Sequence, residues 1–176
     1  MTRDLRAGGR LATMREWLVA SGVIESPEGL LLVCNRRRDG RVDWSPPGGV
    51  IEVADGEAVL DGLTREVREE TGLTVTEWAG PLWQVEAEAA GLGWRLRVEV
   101  HRAVAFEGEL CVEDCDDIVV DARFVDDGER HQLLERTWRP THEPLNAWLA
   151  ERWSGSRTWR YRIEGDTRDT MTIMRL

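Results

Sequence analysis

The sequence predicts an α/β protein in which the strands of a mixed sheet alternate with helices on both of its faces. Several short segments alternate apolar and polar residues, which is typical of strands. Three other segments place apolar residues at helical spacing. Because the two kinds of segment are interspersed along the chain, we expect layered helices and strands rather than separate helical and strand domains. A length of 176 residues is sufficient for one domain with a substantial core.

The predicted strands are bounded by turn residues, for example Ser26-Pro27-Glu28-Gly29 and Gly91-Leu92-Gly93. Between the second and third strands lies the first predicted helix, which ends at Thr71. The six segments with strand character are Glu16–Ile24, Leu30–Arg36, Leu73–Trp78, Leu82–Ala87, Trp94–Phe106 and Ile118–Val125.

The C-terminal part predicts two helices followed by a β-hairpin. The helices are expected over Asp127–Arg136 and Glu143–Arg152. Beyond them, residues from Trp159 to Ile163 alternate in polarity and precede a turn at Gly165, so a hairpin extension is predicted. We therefore expect a single domain over 1–176, with an N-terminal extension at 1–14 and a C-terminal extension at 154–176. The extra apolar strands and the nine tryptophans also favour a homodimer.

Charge and composition exclude several classes of protein. The formal net charge is −10 and all 23 basic residues are arginines, so the basic surface that long nucleic acid requires is missing. There is no long apolar run, and residues 1–16 are charged and mixed, so we expect neither a membrane span nor a signal sequence. Three cysteines form no disulfide framework, which favours a reducing cytoplasmic location.

The most informative segment is Arg65-Glu66-Val67-Arg68-Glu69-Glu70-Thr71-Gly72. Helical spacing of i, i+3 and i+4 gathers Glu66, Glu69 and Glu70 on one side of a helix. On a helical wheel Glu66 and Glu70 lie level with the apolar stripe of Val59, Leu60, Leu63 and Val67. Carboxylates at the margin of a core need partners, because burying an unpaired charge is costly.

A helix gains no stability from this arrangement. Glu66 and Glu70 repel each other as like charges four residues apart, and Glu69 and Glu70 lie near the negative end of the helix dipole. A hard divalent cation would offset both penalties. The alternative is a solvated acidic face with local pairs, such as Arg65 with Glu69.

The flanking residues favour a ligand site. Gly72 predicts the end of the helix, and Asp55 is predicted to cap its start, with Glu57 in its first turn. Gly62 is expected to clear space beside the acids. Gly48 and Gly49 follow two prolines, and glycines allow a backbone to approach a ligand closely.

Together these residues resemble the Nudix box of the Nudix hydrolases. In that motif a glycine is followed by five residues, a glutamate, seven residues and then Arg-Glu-aliphatic-x-Glu-Glu-x-Gly-aliphatic. The interval from Glu57 to Arg65 and the whole second half match. Seven residues rather than five separate Gly49 from Glu57, so Val53 and Ala54 look like a two-residue insertion.

The resemblance implies an α/β/α sandwich fold and a metal-dependent hydrolase that cleaves the pyrophosphate linkage of a nucleoside diphosphate derivative. It implies that Glu66, Glu69 and Glu70, with the Gly48 carbonyl, bind Mg²⁺, or alternatively Mn²⁺. It also implies that Arg65 orients the carboxylates, that Glu57 braces Arg65, and that Glu66 and Glu69 are catalytic. The competing interpretation is a Nudix-fold nucleotide-binding or sensor domain without hydrolysis. Such domains usually lose acids from the box, and this chain keeps all three.

The remaining site residues lie outside the box. The general base is either Glu66 or an acid in 113–117, of which we favour Asp117 and Asp114. Arg36 is predicted to bind phosphate, since strand alternation would turn it inward and arginine binds phosphate in a bidentate manner. Trp44 is a candidate for stacking on a base, although core packing is the commoner role of a tryptophan. We also expect Gly49 to contact the substrate.

The small-molecule substrate is assigned by exclusion. Some Nudix subfamilies are marked by a proline or a tyrosine beyond the box. Val85–Gly91 contains no proline, Pro81 lies too close to the box, and Tyr161 is the only tyrosine. A nucleoside triphosphate or a modified nucleotide is therefore the expected substrate.

Overall fold

The computed structural model describes residues 14–112, 118–165, 167 and 170–176. In this part of the chain ten strands and three α-helices follow one another, with short 3₁₀ turns at Val53–Asp55 and Ala90–Leu92. In chain order they are β1 (Arg15–Val23), β2 (Glu25–Ser26), β3 (Gly29–Arg36), β4 (Val42–Ser45), β5 (Gly48–Val50), α1 (Val59–Thr71), β6 (Thr74–Ala89), β7 (Trp94–Glu107), β8 (Val119–Val125), α2 (Asp127–Leu134), α3 (Arg139–Glu151), β9 (Arg157–Glu164) and β10 (Thr172–Arg175).

The strands form two sheets. The larger sheet is mixed and has the order β10-β9-β6-β7-β1-β5, with β1–β7 and β6–β9 parallel and the other pairs antiparallel. In the smaller sheet β3 is central and pairs antiparallel with β2, β4 and β8. The mixed sheet with helices on both faces confirms the predicted fold class.

Each face of the larger sheet has its own core. α1 packs on one face, where Leu63 and Val67 are fully buried together with Ala20 of β1. α3 packs on the other face, where Leu145 and Trp148 contact a cluster that includes Val85 and Tyr161. Leu60, predicted as part of the apolar stripe of α1, is instead 39% exposed because it lies in the first turn, at the edge of the contact.

The ends of α1 agree only partly with the sequence prediction. Gly72 ends the helix as predicted, in the left-handed conformation (φ 74°), and its N–H donates to the Arg68 carbonyl. The predicted N-cap at Asp55 is wrong, because Ala58 precedes the first helical residue. The 3₁₀ turn ends in left-handed Gly56 (φ 81°), which turns the chain and separates Asp55 from the helix.

A second difference concerns β6, which is one strand of 16 residues where two were predicted. Its register with β7 shifts between Ala79 and Trp83, around Gly80 and Pro81. Proline cannot donate to a strand ladder, so pairing is interrupted there. It resumes at Trp83 because β7 continues unbroken alongside.

The predicted C-terminal hairpin is confirmed, and it extends the larger sheet. β9 pairs parallel with β6, and β10 pairs antiparallel with β9 at the edge of the sheet. Tyr161 of β9 is buried and donates from its hydroxyl to Glu143 Oε2 of α3 at 3.0 Å. Arg139 and Arg175 also donate to the Glu143 carboxylate. The homodimer remains a prediction.

Membrane insertion through a helix has no support in the described residues. None of the three α-helices is both long enough and apolar enough to cross a bilayer. The division into one domain with two terminal extensions remains a prediction.

A partly exposed ion pair joins Glu25 of β2 to Arg152, the residue that follows α3, and gives a pH-dependent prediction. Glu25 accepts from Arg152 at 2.7 and 2.9 Å, and this hydrogen bonding lowers the pKa of its carboxyl despite partial burial. Because the pKa of this carboxyl is lower in the folded state, the ion pair stabilises the fold at pH values above the carboxyl's ordinary pKa. That stabilisation is lost as the pH falls through the lowered pKa. We expect Glu25→Gln to lower the free energy of unfolding by roughly 0.5–1 kcal/mol at pH 7, since half of the guanidinium is exposed.

Urea unfolding of both proteins at pH 7 and pH 3 measures this effect. The difference between wild type and variant should be smaller at pH 3 than at pH 7, because stabilisation by a carboxyl with a lowered pKa is lost progressively as the pH falls below its ordinary pKa. Glu28→Gln, in the exposed turn beside β2, is the control and should show little difference at either pH. An equal effect of Glu25→Gln at both pH values would contradict the prediction.

Candidate active site

The C-terminal half of α1 lies against β5, and this contact brings the acidic residues to the edge of the larger sheet. Glu66 and Glu70 are half-buried, whereas Glu69 is exposed, with 58% of its side chain accessible. The helical wheel predicted this difference, since it placed Glu66 and Glu70 level with the apolar stripe. The three carboxylates therefore share one side of the helix at different depths.

The two glycines of β5 serve different purposes. A Cβ atom on Gly49 would lie 2.2 Å from Glu66 Oε2, so only glycine lets the strand pass beneath this carboxylate. Gly48 has φ 143°, and a Cβ there would lie 2.2 Å from the Ala20 carbonyl oxygen. The Gly48 N–H donates to Glu70 Oε2 at 2.8 Å. The predicted close approach of the backbone is therefore seen here between Gly48 and Gly49 and the carboxylates of Glu70 and Glu66.

Arg65 is the cation that holds the acidic cluster together. Its Nε donates to Glu57 Oε1 at 2.9 Å, and its Nη1 donates to Glu66 Oε1 at 2.8 Å and Glu69 Oε2 at 3.1 Å. One guanidinium therefore contacts three carboxylates. Only one of these pairs, Arg65 with Glu69, was expected from helical spacing; the contact with Glu57 depends on the turn before the helix.

Glu57 braces the guanidinium from the opposite side. Its Oε2 accepts from the Glu52 backbone N–H at 2.8 Å, which fixes the carboxylate before α1 begins. Gly62 leaves room for it, because a Cβ there would lie 2.7 Å from Glu57 Oε2 and 2.7 Å from Ile51 Cδ1. Gly62 thus leaves space for the Glu57 carboxylate, which lies before α1. The insertion at Val53 and Ala54 is accommodated by the 3₁₀ turn, so Glu57 still reaches Arg65.

Burial and pairing shift the pKa values of these groups in opposite directions. Loss of hydration raises the pKa of Glu66, against the opposing effect of Arg65. Hydrogen bonds from Arg65 lower the pKa of Glu57, and the Glu57 carboxylate in turn raises the pKa of Arg65. The Arg65–Glu57 pair is therefore held ionised, whereas partial burial against the sheet disfavours the charged form of Glu66.

The chemical type of the donor atoms of Glu66, Glu69 and Glu70 fits a hard divalent cation. All three side chains offer carboxylate oxygens, which hard cations such as Mg²⁺ prefer, whereas zinc favours histidine and cysteine. As they stand, the described residues contain no group of three acids, histidines or cysteines close enough to hold one ion. Arg65 draws Glu66 and Glu69 toward itself, and Gly48 draws Glu70 toward β5. A cation would require the exposed Glu69 side chain to turn away from Arg65.

Two substrate-binding candidates lie away from the acids. Arg36 was predicted to point inward by alternation, but it is exposed. Alternation does not apply to β3, because Leu30 through Asn35 are all buried. Arg36 is the last residue of the strand and is exposed. Trp44 is half-buried, and the Arg123 guanidinium lies 4.8 Å from the centre of its ring. The substrate-binding roles of both residues remain predictions, and Asp117 and Asp114 lie outside the described residues.

Several supporting contacts were not predicted. Ser21 Oγ donates to the Pro47 carbonyl at 3.3 Å and the Gly22 N–H donates to the same oxygen at 2.8 Å, which fixes the segment before Gly48 on β1. A glycine inside a strand is a sequence signal of close approach, and Gly22 does contact the Trp78 ring. The Ser21 contact joins residues 26 positions apart, so it leaves no local signal.

An open groove of about 690 Å³ runs along the outer side of α1, next to the acids. Arg65 and Glu69 form its end nearest the acidic cluster. Arg68, Gly72 and Glu109 line its other parts. The acidic cluster is therefore open to solvent on the side that faces away from β5.

Comparison with known proteins gives a family and a fold. Residues 16–156 match the family model described as the NUDIX domain. The solution structure of the E. coli ORF135 protein is similar with a TM-score of 0.62 at 23% identity, over 83% of this chain and 99% of that chain. The MutT mutator protein from Bacillus halodurans has a TM-score of 0.62 at 18% identity, over 90% and 97% of the two chains.

A third structure, the crystal structure of an ADP compounds hydrolase, has a TM-score of 0.59 at 15% identity and covers 77% of this chain and 74% of that chain. At such identities the three structures agree with this chain in fold. The family assignment rests on the matched family model, which spans most of the chain.

The close packing of Gly49 beneath Glu66 can be tested through stability. In Gly49→Ala the added methyl would overlap the Glu66 carboxylate, so the side chain must leave its contact with Arg65 or β5 must shift. We expect the free energy of unfolding to fall by about 1–3 kcal/mol, the usual cost of overpacking. Chemical denaturation measures it.

Gly128→Ala in α2 is the matched control. Its nearest neighbour would be Asp126 Oδ1 at 3.3 Å, and alanine is the better helix former, so stability should stay the same or rise. Equal stability of wild type and Gly49→Ala would show that β5 and Glu66 are not packed as described.

Proposed function

The chain belongs to the Nudix family, and from this premise we propose that it is a metal-dependent hydrolase that cleaves the pyrophosphate linkage of a nucleoside diphosphate derivative. One observation carries the proposal. Three carboxylates share one side of α1, where Glu66 and Glu70 lie beside the Gly48–Gly49 backbone and Arg65 contacts Glu66 and Glu69. Solvated surface acids would need neither the glycines nor the contacts with the partly exposed Arg65 guanidinium.

We propose Glu66, Glu69 and Glu70, with the Gly48 carbonyl, as the ligands of Mg²⁺, with Mn²⁺ as the alternative. A bound divalent cation neutralises charge on the phosphate oxygens and lowers the pKa of a bound water. Magnesium suits the site because it prefers oxygen ligands and keeps several of its waters, which leaves coordination positions for a diphosphate.

The chain's own residues position these groups. Glu57 and the Glu52 N–H hold Arg65, and Arg65 holds Glu66 at the depth of the sheet. The Gly48 N–H orients Glu70 from the other side. Glu69 has the greatest freedom, since most of its side chain is exposed. Glu66 and Glu70 are thus preorganised, whereas Glu69 can turn toward a cation as it enters.

The base that accepts the proton from the attacking water is Glu66 or an acid in 113–117, where Asp117 and Asp114 are the favoured candidates. Glu66 lies within the cluster, and Asp117 belongs to the acidic segment that precedes β8. A general base contributes typically 10²–10⁴-fold to a rate, so each is open to test by amide substitution. Because Glu66 is also a proposed ligand, Asp117→Asn is the cleaner variant: loss of turnover with metal affinity retained would identify Asp117 as the base.

We propose a nucleoside triphosphate or a modified nucleotide as the substrate. The markers of other subfamilies are missing from the sequence, and similar folds occur both in a MutT protein and in an ADP compounds hydrolase. The net charge of −10 opposes a polyphosphate, so arginines near the site must offset it. Arg36 is proposed to contact phosphate, Trp44 the base, and the Gly49 backbone the diphosphate.

A panel of nucleotide pyrophosphates incubated with Mg²⁺ tests the proposal through release of phosphate or pyrophosphate. We expect at least one compound to be hydrolysed and a chelator to abolish the reaction. Glu66→Gln, Glu69→Gln and Glu70→Gln should each lower kcat/KM by at least about 100-fold, because each removes a charge that the cation requires.

Glu77→Gln is the matched control, since Glu77 is an exposed glutamate on β6 outside the acidic cluster, and its turnover should equal that of the wild type. Turnover unchanged in Glu70→Gln would contradict the hydrolase mechanism. Tight nucleotide binding with no hydrolysis across the whole panel would instead indicate the alternative, a Nudix-fold binding or sensor domain.

A further inference from the structure

The side chain of Trp78 on β6 reaches across β7 and contacts both β1 and α1. Its six-membered ring packs on Gly22 of β1, where a Cβ atom would lie 2.8 Å from Trp78 Cη2. Its indole Nε1–H donates to Thr64 Oγ1 of α1 at 2.9 Å. The Thr64 hydroxyl donates in turn to the Leu60 carbonyl at 2.8 Å, so its oxygen is oriented to accept from the indole. One tryptophan therefore joins the helix to a strand of the sheet.

The strand ladder around Trp78 is irregular on both sides. The pairing of β6 with β7 shifts register between Glu77 and Trp78, and again between Ala79 and Trp83. Irregularities of this kind re-aim side chains and are common next to functional sites. The strand partner of Trp78 is Ala103, which is buried in the cluster against which the ring packs. Its small side chain leaves room for the ring to cross β7.

The two residues that meet the Trp78 ring are unfavourable choices for their own elements. A β-branched side chain loses rotamer freedom in a helix, and a hydroxyl that bonds back to the i−4 carbonyl slightly destabilises the helix. A glycine inside a strand weakens the strand. The contact with the ring accounts for both, because Thr64 supplies the acceptor and Gly22 supplies the space.

Trp78 holds α1 from the side opposite to the acidic cluster. Thr64 and Glu66 lie about 160° apart around the helix axis, since each residue turns the helix by about 100°. On the Glu66 side α1 is held by β5, whose Gly49 lies beneath the carboxylate. On the Thr64 side it is held by the hydrogen bond from Trp78. Contacts on opposite sides fix the rotation of a helix about its own axis.

The rotation of α1 sets the positions of the proposed metal ligands. Side-chain ends lie roughly 5–6 Å from a helix axis, so a rotation of about 10° moves them by about 1 Å. Magnesium demands near-octahedral geometry with ligands at about 2.0–2.1 Å, and it tolerates such a displacement poorly. Thr64 also directly precedes Arg65, whose guanidinium contacts Glu66 and Glu69.

We propose that Trp78 is a positioning residue that fixes the rotation of α1 through Thr64 and thereby sets how tightly the three carboxylates of this helix bind a divalent cation. The inference rests on the proposed function, because it takes those carboxylates as metal ligands. Trp78 itself touches neither the cation nor the substrate. Loss of its hydrogen bond should therefore weaken metal binding and leave the binding of nucleotide without metal unchanged.

Titration with Mn²⁺, followed by the electron paramagnetic resonance signal of the unbound ion, measures metal binding without turnover. Trp78→Phe keeps a ring and removes the N–H, whereas Thr64→Val keeps the shape and removes the acceptor. Each should raise the dissociation constant of Mn²⁺ about ten-fold, the lower end of the effect of residues that orient metal ligands. Thr64→Ser retains the hydroxyl and should stay close to wild type. Gly22→Ala displaces the ring and should resemble Trp78→Phe.

Trp153→Phe is the matched control. The Trp153 Nε1–H also donates one hydrogen bond, at 2.9 Å to the Leu82 carbonyl, but it belongs to the core on the α3 side of the sheet. Its loss should lower the melting temperature and leave the Mn²⁺ affinity unchanged. In turnover, the Mg²⁺ concentration that gives half the maximal rate should rise about ten-fold in Trp78→Phe and stay at the wild-type value in Trp153→Phe. KM for nucleotide at saturating Mg²⁺ should be nearly unchanged in both.

The outcomes separate the two proposals. If the wild type hydrolyses no member of the nucleotide panel, the proposed function fails, and the Mn²⁺ affinities still decide the inference. If the wild type hydrolyses nucleotides while Trp78→Phe and Thr64→Val bind Mn²⁺ as tightly as it does, the inference alone is overturned. An equal loss of Mn²⁺ affinity in Trp153→Phe would also overturn it, since general loosening of the fold would then account for the effect. Thr64→Ser as weak as Thr64→Val would contradict the role of the hydroxyl.

Discussion

The arrangement of the site depends on one guanidinium. Arg65 donates to Glu57, Glu66 and Glu69, and without this cation a half-buried Glu66 would face two further carboxylates with no compensating charge. Unpaired charge at a core margin is costly. The turn before α1, the room left by Gly62 and the Glu52 N–H all serve to place the Glu57 carboxylate where it holds this guanidinium. The acidic helix is therefore compatible with a packed sheet.

The edge strand β5 explains why such a site lies at the margin of the sheet. Both of its glycines are required by close contacts, one with Glu66 and one with the backbone of β1. A side chain at Gly49 would displace the Glu66 carboxylate of α1, and one at Gly48 would push β5 away from β1. A short edge strand also leaves backbone groups that no neighbouring strand uses, and one of them, the Gly48 N–H, binds Glu70. The short edge strand, which would weaken an ordinary sheet, here supplies a backbone donor to the Glu70 carboxylate.

Local patterns predicted much of this, and contacts between distant residues account for the rest. The acidic side of α1 and its end at Gly72 follow from helical spacing and from glycine's freedom at positive φ. Asp55 as N-cap and Arg36 as an inward residue were wrong because each inference used a local rule. Left-handed Gly56 and a strand buried on both faces override those rules. The contact between Arg65 and Glu57 depends on the turn before α1, which helical spacing does not encode.

The parallel pairing of β9 with β6 has a consequence for how the chain reaches its native state. The matched family region ends at residue 156, and β9 begins at Arg157. Trp159, Tyr161 and Ile163 nonetheless form part of the floor on which α3 rests. During synthesis on the ribosome α3 would emerge before β9, so the part of its apolar side that packs on β9 stays uncovered until residues 157–164 have left the exit tunnel. A fragment cut at the family boundary would keep that uncovered state permanently.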